Sequence, residues 1–443
     1  MNARLMAFEV LLNIKIDLAY SNNAIAVALA KHKLCLQDKA LVTELVYGTL
    51  THYNLLHYWL TPYFQGRVKK WLQILLAMTL YQLVYLEKIP TYAAINEAVK
   101  IAKGRGGNFN AKATNAILRK VTAPNGLRST DEIKEIPDKL ATDHSHPTWL
   151  VRLWMSQFGN ERTEAILRAN NERPKMVLRT NTTLTSRDEL INRLTRDGVV
   201  CQKGKLCPTS IIVKNGNALQ TDAFKDGLFY VQDEAAMLPA MALAPTKLSH
   251  VLDVCAAPGG KTFHIAEMVG ELGIVYAHDI YDHKIVRIKE NAERLKVNNV
   301  EASICSAYDL SQRYEQNSFA YILVDAPCSG LGILRRHPEA KQTKKPEDLD
   351  EIVKVQKEIL ESVSKFLKPG GRLVYSTCTI NRKENQRQIE TFLSSHVDFE
   401  LDKAFESRMP SLLKNNFENG TLQIFPQDFE TDGFFIASLV KKK

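Results

Sequence analysis

The sequence predicts three folded parts in series: an all-α helical bundle, a small α+β subdomain, and an α/β domain built on a doubly wound, largely parallel sheet. Three observations carry this. At 443 residues the chain is too long for one ordinary core. Apolar residues recur at helical spacing through roughly the first 125 positions, with no strand-like alternation. From about residue 225 the rhythm becomes strand, turn, helix, the pattern of a parallel sheet with right-handed crossovers.

In the first part, residues 1–127, Asp38 is read as the N-cap of a long segment carrying Leu41, Leu45, Val46, Leu50, Tyr53, Leu56 and Leu60. Trp71–Leu86 follows and ends at Ile89-Pro90. Tyr92–Ala102 and Ala111–Val121 are separated by the turn Gly104-Arg105-Gly106-Gly107, completing a bundle. The charged stretch 128–144 reads as a linker. Residues 145–224 place helices at Trp149–Phe158, Arg162–Asn170 and Ser186–Asp197, with strands at Met176–Arg179 and Ile211–Val213. In 225–443, strands at Ser249–Val254, Ile274–His278, Ala302–Cys305, Phe319–Val324, Arg372–Tyr375 and Gly433–Val440 are expected. Helices at Lys261–Val269, His283–Lys296 and Leu349–Phe366 lie between them.

Composition narrows the class. Hydrophobic residues at 45% and charged residues at 24% fit a soluble globular protein. No apolar run reaches the ~18–20 residues that span a bilayer, and the start of the chain lacks the layout of a signal peptide. A cytoplasmic location is the default expectation. The net charge of +9 is concentrated early: residues 1–140 hold 18 Lys/Arg against 10 Asp/Glu, which points to a polyanionic partner. Seven cysteines, an odd number in so long a chain, argue against a disulfide framework. Cys201 and Cys207 have no neighbouring His or Cys pair, so no metal is expected. Cys35 and Cys305 read as small buried hydrophobes. Nothing demands more than a monomer.

Two segments carry the chemistry. Asp325-Ala326-Pro327-Cys328-Ser329-Gly330 and Ser376-Thr377-Cys378-Thr379 each follow an apolar strand, and ligands of open α/β sheets gather at the carboxyl ends of strands. Two thiols and a carboxylate in one crevice suit covalent attack on an electrophilic ring. A thiolate adding to C6 of a pyrimidine makes C5 nucleophilic toward a methyl sulfonium, and Asp325 suits a hydrogen bond at N3 of cytosine. The methyl donor follows from Cys255-Ala256-Ala257-Pro258-Gly259-Gly260-Lys261, which joins the first strand of the sheet to a helix. The spacing lacks the G-x-G-x-x-G of a dinucleotide fold, and Cys255 stands where a phosphate-binding P-loop needs its first glycine. With Asp279 ending the next strand, placed to accept ribose hydroxyls, S-adenosyl-L-methionine fits.

On these residues, together with Arg335-Arg336-His337-Pro338 and Thr431-Asp432-Gly433-Phe434-Phe435, the chain closely resembles the RNA 5-methylcytosine methyltransferases of the Sun/Fmu type. Glu44-Leu45-Val46-Tyr47-Gly48 and Asn115-Ala116-Ile117-Leu118-Arg119 resemble that family's NusB-like RNA-binding domain, so the resemblance covers nearly the whole chain. It implies a Rossmann-like S-adenosylmethionine-dependent methyltransferase domain acting on a cytosine of 16S rRNA at position 967, naked or in an assembling small-subunit particle. It also implies Cys378 as nucleophile, Cys328 as the cysteine aiding release, and Lys261 as a contact to cofactor or base. Where the family usually has an aspartate for the adenine amino group this chain has Ser306, with Asp309 as the nearby substitute. Arg335, Arg336 and His337 are candidates for RNA phosphates, as are Lys69, Lys70, Lys103, Arg105, Lys112, Arg119 and Lys120. Tyr53, Tyr58, Trp59, Trp71 and Tyr81 are expected in the core. Two other classes compete: a non-catalytic RNA-binding or antitermination factor, and a DNA cytosine methyltransferase with its nucleophile in the Pro327-Cys328 pair.

Overall fold

The computed structural model describes residues 2–64 and 66–443. The chain divides into two compact units. One comprises the chain up to Glu172 together with Leu334–Lys344; the other comprises Arg173–Ile333 and Lys345–Lys443.

The first unit is helical. Ala3–Ile16, Ser21–Lys31, Leu36–Thr51, Tyr53–Leu60, Lys70–Tyr85 and Thr91–Val121 surround a core that includes Phe8, Leu11, Leu45, Leu75 and Leu118, all fully buried. The helix expected after Asp38 starts instead at Leu36 and breaks at His52, so Asp38 lies in the first turn and Cys35 is the capping position. There the carboxylate complements the helix dipole without capping it. At that helix end Cys35 is exposed, contrary to its expected burial. The glycine turn is a kink: helical hydrogen bonding runs from Thr91 to Val121, and only Gly107 departs, at φ 75°, a conformation that glycine adopts without steric cost. The stretch read as a linker carries the helix Ile136–Asp143.

Leu334–Lys344 folds as part of this unit. Ser21 N–H donates to Glu339 Oε1 at 3.1 Å, and Gln342 Nε2 to Leu50 O at 3.3 Å. The Lys341 ammonium, 1% exposed, donates to Thr51 O and to Asn171 Oδ1, and burial lowers its pKa to about 7.

The second unit contains two sheets. The smaller has strands β1 (Met176–Thr180), β2 (Val200–Lys203), β3 (Ser210–Asn215) and β4 (Phe229–Val231), antiparallel in the order β2-β3-β1-β4. The helix expected near 186–197 is Arg187–Arg196, fixed by a reciprocal Ser186–Glu189 capping box. The larger sheet contains β5 (His250–Asp253), β6 (Ile274–Asp279), β7 (Val300–Ile304), β8 (Phe319–Asp325), β9 (Leu367–Thr377), β10 (Phe399–Leu401), β11 (Phe417–Glu418), β12 (Thr421–Ile424) and β13 (Phe434–Lys441). Its order is β11-β12-β13-β9-β8-β5-β6-β7, with β10 also on β13.

Strands β5 to β9 pair in parallel, as predicted. The last strand does not extend that set: β13 runs antiparallel to β9 and carries β10 and β12 on it, so the sheet is mixed. At its centre the parallel set is buried on both faces, with Val251, Leu252, Val275, Ile322, Leu323 and Val324 at 0% exposure, whereas the edge strand β7 is partly exposed. From β5 the chain adds β6 and β7 on one side, then β8 and β9 on the other. The order reverses at β5, so the carboxyl ends of β5 and β8 mark the switch point at which open α/β sheets bind their ligands.

A buried ion pair joins the small sheet to the helix Gly260–Val269. Arg179 of β1 donates to Glu267 Oε1 at 2.8 Å, to Gln232 Oε1 at 2.6 Å and to Gly260 O, with the Arg179 and Glu267 side chains 1% and 3% exposed. Removing one partner strands the other charge in a dry site, at a cost of roughly 3–5 kcal/mol. Arg179→Ala is therefore expected to lower the unfolding free energy of the second unit by that margin, and its urea midpoint with it; an unchanged midpoint in equilibrium unfolding refutes it.

Candidate active site

The register of β8 and β9 sets the site. Asp325 lies opposite Ser376, with Ser376 Oγ donating to Asp325 Oδ1 at 2.8 Å and Ala326 N–H to Ser376 O at 2.9 Å. The strands end level, so their loops leave side by side. Cys328 Sγ and Cys378 Sγ lie 3.3 Å apart as free, half-buried thiols. The Cys328 thiol is held well above its ordinary pKa by its hydrogen bond with Cys378, by burial and by the Glu384 charge. Backbone contacts also fix Cys378: Gly332 N–H donates to Cys378 O at 3.0 Å, and Gly433 N–H to Gly332 O at 2.8 Å. A Cβ on Gly332 would clash with Gly433 O.

Lys261 enters from the helix Gly260–Val269, which begins just after Gly259 at φ 99°. Its Nζ donates to Asp325 Oδ2 at 2.5 Å and lies 5.0 Å from the centre of the Phe434 ring. Both Asp325 oxygens are thus fixed, and the late Thr431–Phe435 motif has a role in the site: Phe434 backs the ammonium.

The loop from Cys255 to Lys261 is held by Ala256 N–H to His278 O at 2.9 Å and Tyr230 Oη–H to Pro258 O at 3.2 Å. Burial, with Asp253, Asp325 and Asp279 nearby, pushes the Cys255 thiol far up and keeps it protonated. Asp279 is 5% exposed; its carboxylate accepts from Tyr281 N–H and faces Lys284 Nζ, each at 3.3 Å. Ile280, directly after it, is apolar and 56% exposed, a candidate that the sequence reading did not single out. Small loop residues, a free helix N-terminus, a strand-end carboxylate and this apolar side chain form a donor set that fits an adenosine-bearing sulfonium. Ser306 Oγ accepts from Tyr308 N–H at 3.2 Å, while Asp309 is exposed and accepts from Gln312 Nε2 at 3.2 Å.

The remaining candidates lie in the first unit. Arg335 is buried at 5% exposure, so its guanidinium belongs to the interior; Arg336 and His337 are half-buried. Lys69, Lys70 and Arg105 meet Lys15, Arg67, Tyr53, His57 and Trp71 around a cavity of about 1150 Å³. Burial, with Lys70 adding to it, lowers Lys15 to about 8 there. Lys103, Lys112, Arg119 and Lys120 do not line it. Among the described residues no cluster of three or more His, Cys, Asp or Glu is arranged for a metal, and no helix is long and apolar enough to cross a membrane. Sequence reasoning also missed Glu384, which is fully buried behind the two cysteine loops. The surrounding Arg382-Lys383-Glu384-Asn385 looks like ordinary surface.

A doubly wound sheet whose switch point carries a small-residue loop opening a helix, with a carboxylate ending the next strand, defines the class: an S-adenosylmethionine-dependent methyltransferase. The model of the 16S rRNA methyltransferase RsmB/F family matches residues 240–440, the NusB family residues 1–123, and the RsmF/B-like ferredoxin-like domain residues 146–220. A Bacillus subtilis protein named "Probable ribosomal RNA small subunit methyltransferase B" is 42% identical over 443 residues, covering 100% of this chain and 99% of its own. The ribosomal RNA small subunit methyltransferase B of Cronobacter sakazakii is 34% identical, with 93% and 92% of the two chains covered. Among solved structures, one titled "Crystal Structure of PH0851" matches with TM-score 0.84 and 26% identity over 99% of this chain and 98% of its own. A methyltransferase homologue from Pyrococcus horikoshii matches with TM-score 0.59 and 28% identity over 70% of this chain and 99% of its own. The chain belongs to the 16S rRNA methyltransferase RsmB/F family.

Asp253 provides a test of the site's electrostatics. It is fully buried beneath the loop, accepts from Thr262 Oγ1 at 2.7 Å, and is raised to about 7 by burial. An acid whose folded pKa exceeds its unfolded value, ~3.9, takes up a proton on folding. Its contribution to stability is greatest below the unfolded value and declines as pH rises to about 7. Asp253→Asn is therefore expected to raise the melting temperature above pH 7, with the gain shrinking toward pH 4. Melting curves across that range check it; a gain that grows on acidification contradicts it.

Proposed function

We propose that this rRNA methyltransferase modifies C5 of one cytosine of 16S rRNA, of the position-967 type, through a covalent bond from Cys378 Sγ to C6, with Cys328 assisting release. The observation that supports this most is the 3.3 Å approach of two free thiols beside Asp325. The cysteine order comes from the family resemblance. It is consistent with the raised pKa of the Cys328 thiol, which disfavours Cys328 as the attacking thiolate.

The Cys378 thiolate forms the S–C6 bond, and the C5–C6 π pair moves onto C5. Asp325, oriented by Lys261 and Ser376, enters this step as the carboxylic acid and gives its proton to N3, which neutralises the charge arriving on the ring and leaves a carboxylate beside Lys261. S-adenosyl-L-methionine supplies the methyl group at C5. The C5 proton then passes to solvent, its electron pair re-forms the C5–C6 double bond as the S–C6 pair returns to Cys378, and N3 gives its proton back to Asp325, with Cys328 beside the leaving sulfur. Residues Cys255 to Lys261 and Asp279 would hold the cofactor, with Ile280, Ser306 and Asp309 the side chains that its adenosine part would meet. Arg336, His337 and the cations around the cavity of the first unit contact RNA phosphates.

Cys378→Ser is expected to lower methyl transfer to 16S rRNA by at least ~10³-fold, whereas Cys328→Ala retains attack and accumulates an RNA–protein adduct on denaturing gels. Full transfer by Cys378→Ser sinks the nucleophile assignment, and a Cys328→Ala protein that leaves no adduct sinks the release role.

A further inference from the structure

Glu384 lies six residues beyond Cys378, is fully buried, and contacts neither thiol in the hydrogen-bond network. Its Oε2 accepts from Ser329 N–H at 2.8 Å and from Gln356 Nε2 at 3.1 Å. Its Oε1 accepts from Ser329 Oγ at 2.6 Å, Asn381 Nδ2 at 3.1 Å and Thr379 Oγ1 at 3.4 Å. Gln356 Nε2 also donates to Pro327 O at 2.9 Å, and Ser329 Oγ and Thr379 Oγ1 are 2.8 Å apart. One carboxylate therefore gathers the residue after Cys328, the side chain that holds the residue before it, and the residue after Cys378.

A buried charge is a poor way to fill space, because apolar groups of the same volume stabilise a fold as well or better. Its use is geometric: a carboxylate draws several donors to one point with short, directional bonds. We infer that Glu384 is the positioning residue for both covalent steps, setting the separation of the two thiols by clamping their loops together. This rests on the adduct reading above. The attacking and releasing sulfurs act on the same S–C6 bond, so small errors in their spacing slow both steps. Glutamine at this position keeps one acceptor and turns a donor toward Ser329 or Gln356, which frees one loop from the other.

The test uses the full chain, 16S rRNA and labelled S-adenosylmethionine in single turnovers. In a Cys328→Ala background, adding Glu384→Gln should slow adduct formation by about tenfold or more. With Cys328 present, Glu384→Gln should slow release by a similar factor, so that the adduct forms later and decays about tenfold more slowly. Cofactor affinity measured by calorimetry should stay within about twofold, since the loop after β5 is untouched. Ser329→Ala, which removes the hydroxyl bridge and leaves the charge, should move both rates the same way by less; Glu384→Asp should restore part of each. If Glu384→Gln does not fold, Ser329→Ala decides alone. Rates within threefold of the parent, or a loss of rate that only tracks a loss of cofactor affinity, overturn the inference. A Cys328→Ala parent that forms no adduct overturns the adduct reading itself, an outcome distinct from either.

Discussion

The site depends on the parallel pairing of β8 with β9. Because Asp325 lies opposite Ser376, the two strands end at the same height and deliver their loops to the same point. A shift of one residue would turn Asp325 to the other face of the sheet and separate the thiols by a residue's rise. The pairing is secured from both sides. β5 flanks β8 in parallel, and β13 runs antiparallel along β9 from Arg372 to Thr377. The antiparallel half of the sheet is thus a brace for the strand that carries Cys378, and it also brings Phe434 beneath Lys261.

Around this pairing the protein interior is unusually polar. Thr377, Thr379, Asn381, Glu384 and Asn385 are all fully buried. Asn385 accepts from Thr377 Oγ1 at 2.6 Å and donates to Thr379 O at 2.9 Å and Gln423 Oε1 at 3.0 Å. Such a network is costly when half-satisfied and rigid when complete. Its members hold backbone and neutral side chains, leaving the ionic pair of Lys261 and Asp325 to face the crevice.

The parallel core was legible in the sequence because long apolar runs such as Phe319–Val324 have few alternatives, and the loop motifs mark strand ends. The antiparallel strands were less so. β10, β11 and β12 are two to four residues long, too short for periodicity, and the start of β9 is hidden by Pro369, Gly370 and Gly371. The meeting of Lys261 with Asp325 depends on the relative placement of a helix and a strand 64 residues apart, which local pattern does not encode. Glu384 was invisible because its neighbours are charged: burial of one acid among solvated residues is a tertiary fact. Cys35 failed for the opposite reason, since apolar neighbours in sequence do not ensure burial at a helix end.

The eleven residues Leu334–Lys344 belong to the helical unit although they are encoded between the two cysteine loops. With them the unit gains the ammonium of Lys341 as a partner for Thr51 O and Asn171, and the Glu339 carboxylate as a partner for Ser21 N–H. A gene split after Glu172 would therefore yield a helical protein with those buried groups unanswered. The helical unit is thus finished by eleven residues written within the sequence of the other, and its first 172 residues alone do not spell out its interior.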